Sequence, residues 1–337
     1  SGTTLRLMSG ILSAQPFTAR LTGDSSIQKR PMGRVASPLG LMGAKITSEN
    51  EKMTAPLTIE GQSLHGIDYT LPVASAQVKS ALILAGLYAD GETRITEPEA
   101  TRDHTEIMLN YLGADIRKEG DTIVVRPAAE LTGKDITVPG DISSAAYFIA
   151  AALISKDSEV LIKNVGVNPT RTGIITAFKA MGGNIELINE RTVCGEPVAD
   201  ILVRSSRLHG VVIKGAIIPK LIDEIPVIAA AACYASGETV IADAAELRVK
   251  ESDRIKTMAA ELGRMGATVI QTDDGMIILG GIPLHGAVCE SYNDHRVAMS
   301  VAVAALGAKG ETQIKDCGCV DISFPGYFDA LMSLRED

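Results

Sequence analysis

Apolar stretches with helical spacing alternate along the chain with short β-like runs, and the alternation is periodic. Two signatures recur. The first is Leu or Met, then Gly, a small residue and a strand-like run: Met42-Gly43-Ala44-Lys45-Ile46, Leu112-Gly113-Ala114-Asp115-Ile116, Met181-Gly182-Gly183-Asn184-Ile185 and Met265-Gly266-Ala267-Thr268-Val269. Their glycines lie 70, 69 and 84 residues apart, and each suits the left-handed position just past a helix C-terminus. The second signature is a polar opening, an apolar stretch of about three turns rich in small residues, and a β-like run. It begins at Ser1, Ser75, Ser143, Asp223 and Asp294.

Each period therefore reads as helix, strand, helix ending at Gly, then shorter strands. Strands are predicted over Thr93 to Glu97, Glu159 to Lys163, Thr239 to Ala242 and Thr312 to Lys315, where Thr and Val concentrate. The first period is entered at its helix, so the strand that would precede Ser1 is expected to be missing. The pattern predicts an α/β protein built of repeats, and 337 residues at about 150 per domain allow roughly two domains.

Composition narrows the classes. With 46% hydrophobic and 22% charged residues the chain is globular. A net charge of −9 argues against nucleic acid or an anionic membrane as a partner. The longest apolar runs, Ala145 to Ile154, Ile225 to Ala235 and Val297 to Leu306, are too short to cross a bilayer and read as buried core helices. Five cysteines without a CxxC pair read as free thiols of a reducing cytoplasm, and five scattered histidines offer no grouped metal ligands. No signal peptide is visible.

The polar openings place Ser1-Gly2-Thr3, Ser75-Ala76-Gln77, Ser143-Ser144, Asp223-Glu224 and Asp294-His295-Arg296 at helix N-termini, which favour anions. Capping explains Ser or Asp at each, and for Asp223 a simple N-cap role stands beside a functional one. It does not explain Gln77, Arg296 or the Gly2-Thr3 pair. Arginines cluster nearby, in Lys29-Arg30-Pro31, Thr101-Arg102-Asp103-His104 and Arg248-Val249-Lys250-Glu251-Ser252-Asp253-Arg254. In an acidic chain they point to a focused site for a small polyanion. The Lys250 to Arg254 run reads as four charges crowded on one helical turn, costly without partners. His104 and His295 read as helix-start hydrogen bonders rather than catalytic bases. No dinucleotide or P-loop glycine motif is present.

These residues carry a resemblance. Ser1-Gly2-Thr3, Lys29-Arg30-Pro31-Met32, Ser75-Ala76-Gln77-Val78-Lys79-Ser80-Ala81, Arg102-Asp103-His104-Thr105-Glu106, Pro139-Gly140-Asp141-Ile142-Ser143-Ser144-Ala145, Arg248 to Ile255 and Asp294-His295-Arg296-Val297-Ala298-Met299-Ser300 closely resemble the 5-enolpyruvylshikimate-3-phosphate synthases, in order and along the whole chain. The resemblance implies a two-domain enolpyruvyl transferase fold of repeated βαβαββ units, with helix N-termini facing the interdomain cleft. Domains of residues 1–138 and 139–337 are expected, divided near Pro139-Gly140.

It further implies transfer of the enolpyruvyl group of phosphoenolpyruvate to shikimate 3-phosphate, on the route to chorismate and the aromatic amino acids. No metal or organic cofactor is implied. Ser75, Gln77 and Arg102 would hold shikimate 3-phosphate, with Arg102 on its phosphate and Asp223 and Lys250 on its hydroxyls. Gly2, Thr3, Arg30, Gln77, Arg254 and Arg296 would hold phosphoenolpyruvate. Glu251 and Asp223 would be the catalytic carboxyls. Glyphosate, the family's competitor of phosphoenolpyruvate, would enter the slot that Gly2 leaves open.

Two departures stand out. The family's N-terminal Lys-Ser pair followed by Arg has no counterpart, so a preceding segment is expected, with the complete protein a monomer or associated with that segment. Before Phe324-Pro325 the chain has Asp321-Ile322-Ser323 where many members carry a basic residue. The alternatives are the sister transferase acting on UDP-N-acetylglucosamine, which the Arg102 to Glu106 and Lys250 to Arg254 runs disfavour, and a non-catalytic anion-binding fragment.

Overall fold

A computed structural model of the chain describes all residues except 26, 129 and 335–337. The described residues group into two compact units, Ser1–Thr137 with Cys194–Glu196, and Val138–Val193 with Pro197–Asp337.

The first unit runs α1 (Gly2–Leu12), β1 (Thr18–Leu21), α2 (Gly33–Leu41), β2 (Lys45–Ser48), β3 (Leu57–Glu60), β4 (Asp68–Thr70), α3 (Ala76–Gly86), β5 (Thr93–Thr96), α4 (His104–Tyr111), β6 (Ile116–Glu119) and β7 (Thr122–Val125). Its second half is one complete βαβαββ repeat. The sheet order is β4-β5-β7-β6, in which β4 and β5 are parallel and the other neighbours antiparallel. The first half shows β1-β3-β2 in the same relation, entered at α1. Leu39, Ile59, Leu82, Ile83, Ile95 and Val125 are fully buried between these sheets and helices.

The second unit runs α5 (Ile142–Ile154), β8 (Glu159–Gly166), α6 (Gly173–Ala180), β9 (Asn184–Val193), β10 (Glu196–Arg204), β11 (Val212–Ile213), α7 (Ile225–Ala232), β12 (Glu238–Ile241), α8 (Arg254–Arg264), β13 (Thr268–Gln271), β14 (Met276–Leu279), β15 (Val288–Glu290), α9 (His295–Ala305), β16 (Gln313–Lys315) and α10 (Tyr327–Met332). The order β11-β12-β14-β13 repeats the first unit's four-stranded sheet pairing for pairing. In the β8-β10-β9 sheet a single parallel bridge, Gly140 to Val165, stands where the first strand would be. The three longest apolar runs are the core helices α5, α7 and α9, which pack on one another. Among the described residues no helix is long and apolar enough to cross a membrane.

The four signature glycines end α2, α4, α6 and α8 as expected. Gly43, Gly113, Gly182 and Gly266 have φ of +99°, +100°, +90° and +96°. The following amide in each case bonds back to a carbonyl five residues earlier, as Ala44 N does to Leu39 O at 3.0 Å and Ala267 N to Leu262 O at 3.0 Å.

Two helix starts differ from the sequence reading. α5 is capped by Asp141, whose carboxylate accepts from the Ser144 amide at 3.1 Å, not by Ser143. The extended backbone of Asp141 presents an acceptor two residues earlier, which leaves the Ser143 hydroxyl for another partner. α7 begins at Ile225 with Glu224 in the N-cap position, because Pro226 fixes its first turn; Asp223 is therefore not the cap. The Lys250 to Arg254 run is not a helical turn. A short 3₁₀ segment ends at Val249, and α8 starts at Arg254 behind the cap Asp253, so its charges spread outward to different partners.

The histidines are not all scattered. Leu64-His65-Gly66, Leu208-His209-Gly210 and Leu284-His285-Gly286 occupy one repeat position. The amides of His65, His209 and His285 donate to Met42 O, Met181 O and Met265 O at 3.0, 2.9 and 2.9 Å, the carbonyls just before the signature glycines. A Cβ on Gly66, Gly210 or Gly286 would fall 2.1, 2.0 or 2.0 Å from the backbone carbonyl oxygen of Glu92, Glu238 or Glu311, so only glycine fits.

Candidate active site

In the first unit, α1 and α3 lie side by side. Gly10 permits this approach, since a Cβ there would sit 2.1 Å from Ala81 O. Ser1 and Ser75 cap the two helices, accepting from the Thr4 amide at 3.3 Å and the Val78 amide at 3.5 Å. Gly2, Thr3 and Gln77 thus stand in neighbouring first turns, where unpaired backbone N–H groups concentrate. The Gln77 side-chain NH₂ donates to Thr3 Oγ1 at 2.7 Å, and Arg6 Nη1 donates to Gln77 Oε1. Because guanidinium only donates, this pair of bonds fixes which way the amide points.

Arg6 is the residue that sequence reasoning missed. Its signal was its place one turn after Gly2, on the inward face of α1. The side chain is buried, Nε has no hydrogen-bond partner, and burial followed by the charges of Arg34 and Arg30 lowers its pKa to about 10. Three like charges crowded in this way are unfavourable unless an anion joins them. Arg30 reaches to within 3.4 Å of where a Cβ on Gly2 would lie. The structure therefore brings Gly2, Thr3, Arg30 and Gln77 together.

Arg102 lies in the loop between β5 and α4, just before Asp103 in the N-cap position. The residue ahead of it, Thr101, is anchored through its amide (3.2 Å) and hydroxyl to the buried carboxylate of Glu97.

In the second unit the loops before α7, α8 and α9 gather the remaining residues. Arg254 is almost fully buried and is gripped by Asp294, with Nε 2.9 Å from Oδ2 and Nη2 3.2 Å from Oδ1. Its Nη2 also donates to Glu251 Oε2 at 2.6 Å, and Nη1 lies 3.5 Å from Asp223 Oδ1. Lys250 Nζ sits 3.6 Å from the same Asp223 oxygen and 2.9 Å from Glu246. Arg296 Nη1 donates to the Asp223 carbonyl at 3.1 Å. Asp223, Lys250, Glu251, Arg254 and Arg296 thus form one continuous cluster, joined by contacts that run through Asp223 and Arg254.

Its electrostatics divide the acids. Burial alone would raise the Asp294 carboxyl, but Arg254 and hydrogen bonds from Ser252 and the Arg296 amide outweigh it and hold the pKa below the ordinary value. Glu224, buried and accepting from Ser143 Oγ, is pushed up by desolvation despite Arg296. Burial likewise pushes the Tyr147 hydroxyl up to about 12. The pKa of His295, the first residue of α9, is lowered by burial and by the charge of Arg296. Tyr147 OH, Glu224 Oε2 and Arg254 Nη1 are buried polar atoms with no hydrogen-bond partner. Among the described residues, no group of three or more His, Cys, Asp or Glu is placed to hold a metal ion.

Repeats whose helix starts carry arginines interleaved with carboxylates define an α/β enzyme that handles small polyanions. The sequence profile described as EPSP synthase (3-phosphoshikimate 1-carboxyvinyltransferase) matches residues 1–331. A 3-phosphoshikimate 1-carboxyvinyltransferase of Desulforudis audaxviator is 57% identical over 335 residues, covering 99% of this chain and 78% of that protein. One of Brevibacillus brevis is 55% identical over 336 residues, covering 100% of this chain and 79% of the relative. The solved EPSP synthase of Acinetobacter baumannii superposes with a TM-score of 0.91 at 48% identity, over 99% of this chain and 77% of that one. The chain belongs to the EPSP synthase family, and it is a transferase of the two-domain α/β fold characteristic of that family.

Proposed function

We propose that this chain transfers the enolpyruvyl group of phosphoenolpyruvate to the 5-hydroxyl of shikimate 3-phosphate, releasing phosphate. In this reading residues 1–138 and 139–337 belong to the two working domains of a cytoplasmic protein that is a monomer when complete. Ser75, Gln77 and Arg102 hold shikimate 3-phosphate, Arg102 by its phosphate, while Asp223 and Lys250 take its hydroxyls. Gly2, Thr3, Arg30, Gln77, Arg254 and Arg296 hold phosphoenolpyruvate. Each substrate carries a phosphate and a carboxylate, so two helix N-termini and several guanidiniums match the charge to be bound.

The chemistry needs one proton delivered to the methylene carbon of phosphoenolpyruvate and one taken from the attacking hydroxyl. A C–O bond forms at the central carbon, giving a tetrahedral intermediate; its collapse breaks the C–O bond to phosphate as a methyl proton leaves. Glu251 serves the carbon and Asp223 the hydroxyl. The observation that carries this assignment is that one buried guanidinium, Arg254, contacts both carboxylates, at 2.6 Å and 3.5 Å. Arg254 and Arg296 stabilise the charge that shifts to the departing phosphate. The test is phosphate release from phosphoenolpyruvate with either acceptor, measured on the complete protein. Turnover with shikimate 3-phosphate and none with UDP-N-acetylglucosamine is expected; the reverse would transfer the chain to the sister activity, and binding of both substrates without product would leave an anion-binding protein.

A further inference from the structure

Lys79 is a lysine with its side chain only 1% exposed, one turn into α3, in a chain that keeps most lysines in water. It pairs with two carboxylates from separate elements: Glu97 at 3.2 Å, at the end of β5, and Glu106 at 2.7 Å, in the first turn of α4. Ser80 Oγ meets Thr105 Oγ1 at 2.7 Å alongside. The second oxygen of Glu97 takes the Thr101 amide and hydroxyl. A buried carboxylate and ammonium are costly, and simple apolar packing would have joined these elements as well. What the ionic arrangement adds is direction: it fixes where the residue after Thr101, Arg102, leaves the loop relative to the α3 N-terminus that bears Ser75 and Gln77.

We propose that Glu97, oriented by Lys79, is a positioning residue that sets Arg102 for the phosphate of the acceptor substrate through its two bonds to Thr101. The inference rests on the reading of Arg102 as the phosphate contact. Lys79 locks the spacing between the start of α3, which bears Ser75 and Gln77, and the phosphate-recognising loop, so the pair measures the length of a phosphorylated ring acid rather than adding affinity for any anion. Thr101 contributes two bonds to a charged acceptor, each stronger than a neutral hydrogen bond.

The test is calorimetric binding of shikimate 3-phosphate and of shikimate, which lacks the phosphate, to the wild type and to Glu97→Gln, Thr101→Val, Thr101→Ser and Arg102→Ala, with melting temperatures recorded for each. Glu97→Gln and Thr101→Val are expected to weaken the phosphorylated ligand about tenfold to a hundredfold while leaving shikimate unchanged. Thr101→Ser, which restores the hydroxyl, is expected to bind like the wild type. Adding Glu97→Gln to Arg102→Ala is expected to cost nothing more. Equal weakening of both ligands, or no weakening while Arg102→Ala still loses the phosphate, overturns the proposal and leaves the Arg102 reading intact. Unchanged binding in Arg102→Ala overturns that reading, and the proposal with it.

Discussion

Asp294 holds Arg254 by two hydrogen bonds, 2.9 and 3.2 Å long, with both side chains almost wholly removed from water. The same carboxylate caps α9 at the Arg296 amide and accepts from Ser252 at 2.9 Å. One buried acid therefore sets the direction of a guanidinium at the start of α8 and the start of the helix that carries Arg296. A buried ion pair of this kind adds little net stability over apolar packing, but it leaves each partner with one geometry.

Removing half of that pair exposes its cost. Asp294→Asn is expected to lower unfolding free energy by up to about 3–5 kcal/mol, because Arg254 loses its fully buried partner and keeps only the more exposed Glu251 and Asp223. Denaturant midpoints measure it. The pKa of Asp294 is lowered in the fold, so its contribution is full above the unfolded value, about 3.9, and is lost as pH falls through the folded value. The gap between wild type and variant should narrow only in that acid range.

Asp223→Asn and Glu251→Gln are expected to reduce turnover by about two to four orders of magnitude, the range of a lost general acid or base. Gln can still accept from Arg254 at the Glu251 position, so substrate binding and the melting temperature should hold. Near-normal turnover in both variants would move the proton transfers to other groups.

The fold was legible where local chemistry repeats. The Leu/Met-Gly signature marks helix ends because a left-handed residue there is cheap only for glycine, and all four glycines are left-handed. The Leu-His-Gly repeat escaped notice because its glycines are required by tertiary approach, which spacing alone does not show. Arg6 was hidden for a similar reason: its importance comes from Arg30, Arg34 and Gln77, brought near by folding. The Lys250 to Arg254 run has charges at helical spacing without being helix, because the cap Asp253 delays α8 to Arg254. These differences predict contrasting substitutions. Gly210→Ala would place a Cβ 2.0 Å from Glu238 O and should cost about 3 kcal/mol, while Gly40→Ala, inside α2 with no atom within 4 Å, should gain about 0.5–1 kcal/mol.

At Gly2 the same substitution should act on ligands instead of the fold. A Cβ would meet Arg30 Nη1 at 3.4 Å and Arg6 Nη1 at 3.7 Å, ordinary contacts that the helix tolerates. It would, however, occupy space beside the guanidiniums that we propose receive the anion. Gly2→Ala is expected to raise the glyphosate inhibition constant about tenfold or more and the KM for phosphoenolpyruvate less, since the inhibitor is the longer ligand. Equal inhibition of wild type and variant would show that Gly2 does not set the available room.

Glu224 offers a test of the opposite sign. It is buried beside Asp223, accepts from Ser143, and has one oxygen without a partner. Desolvation raises its pKa in the fold, so the folded state holds this proton more tightly than the unfolded chain does. Its contribution to stability is then fully present below the unfolded carboxyl value, about 4.3, and is lost as pH rises through the folded value. Glutamine keeps the acceptor for Ser143 and never ionises. Glu224→Gln is therefore expected to match the wild type below the unfolded carboxyl value, about 4.3, and to become progressively the more stable of the two as pH rises from there through the folded value, in contrast to Asp294→Asn. Urea unfolding of both variants across that range reads the two slopes directly, and a Glu224→Gln difference that stays constant or shrinks with rising pH would mean that Arg296 keeps the carboxylate ionised in the fold.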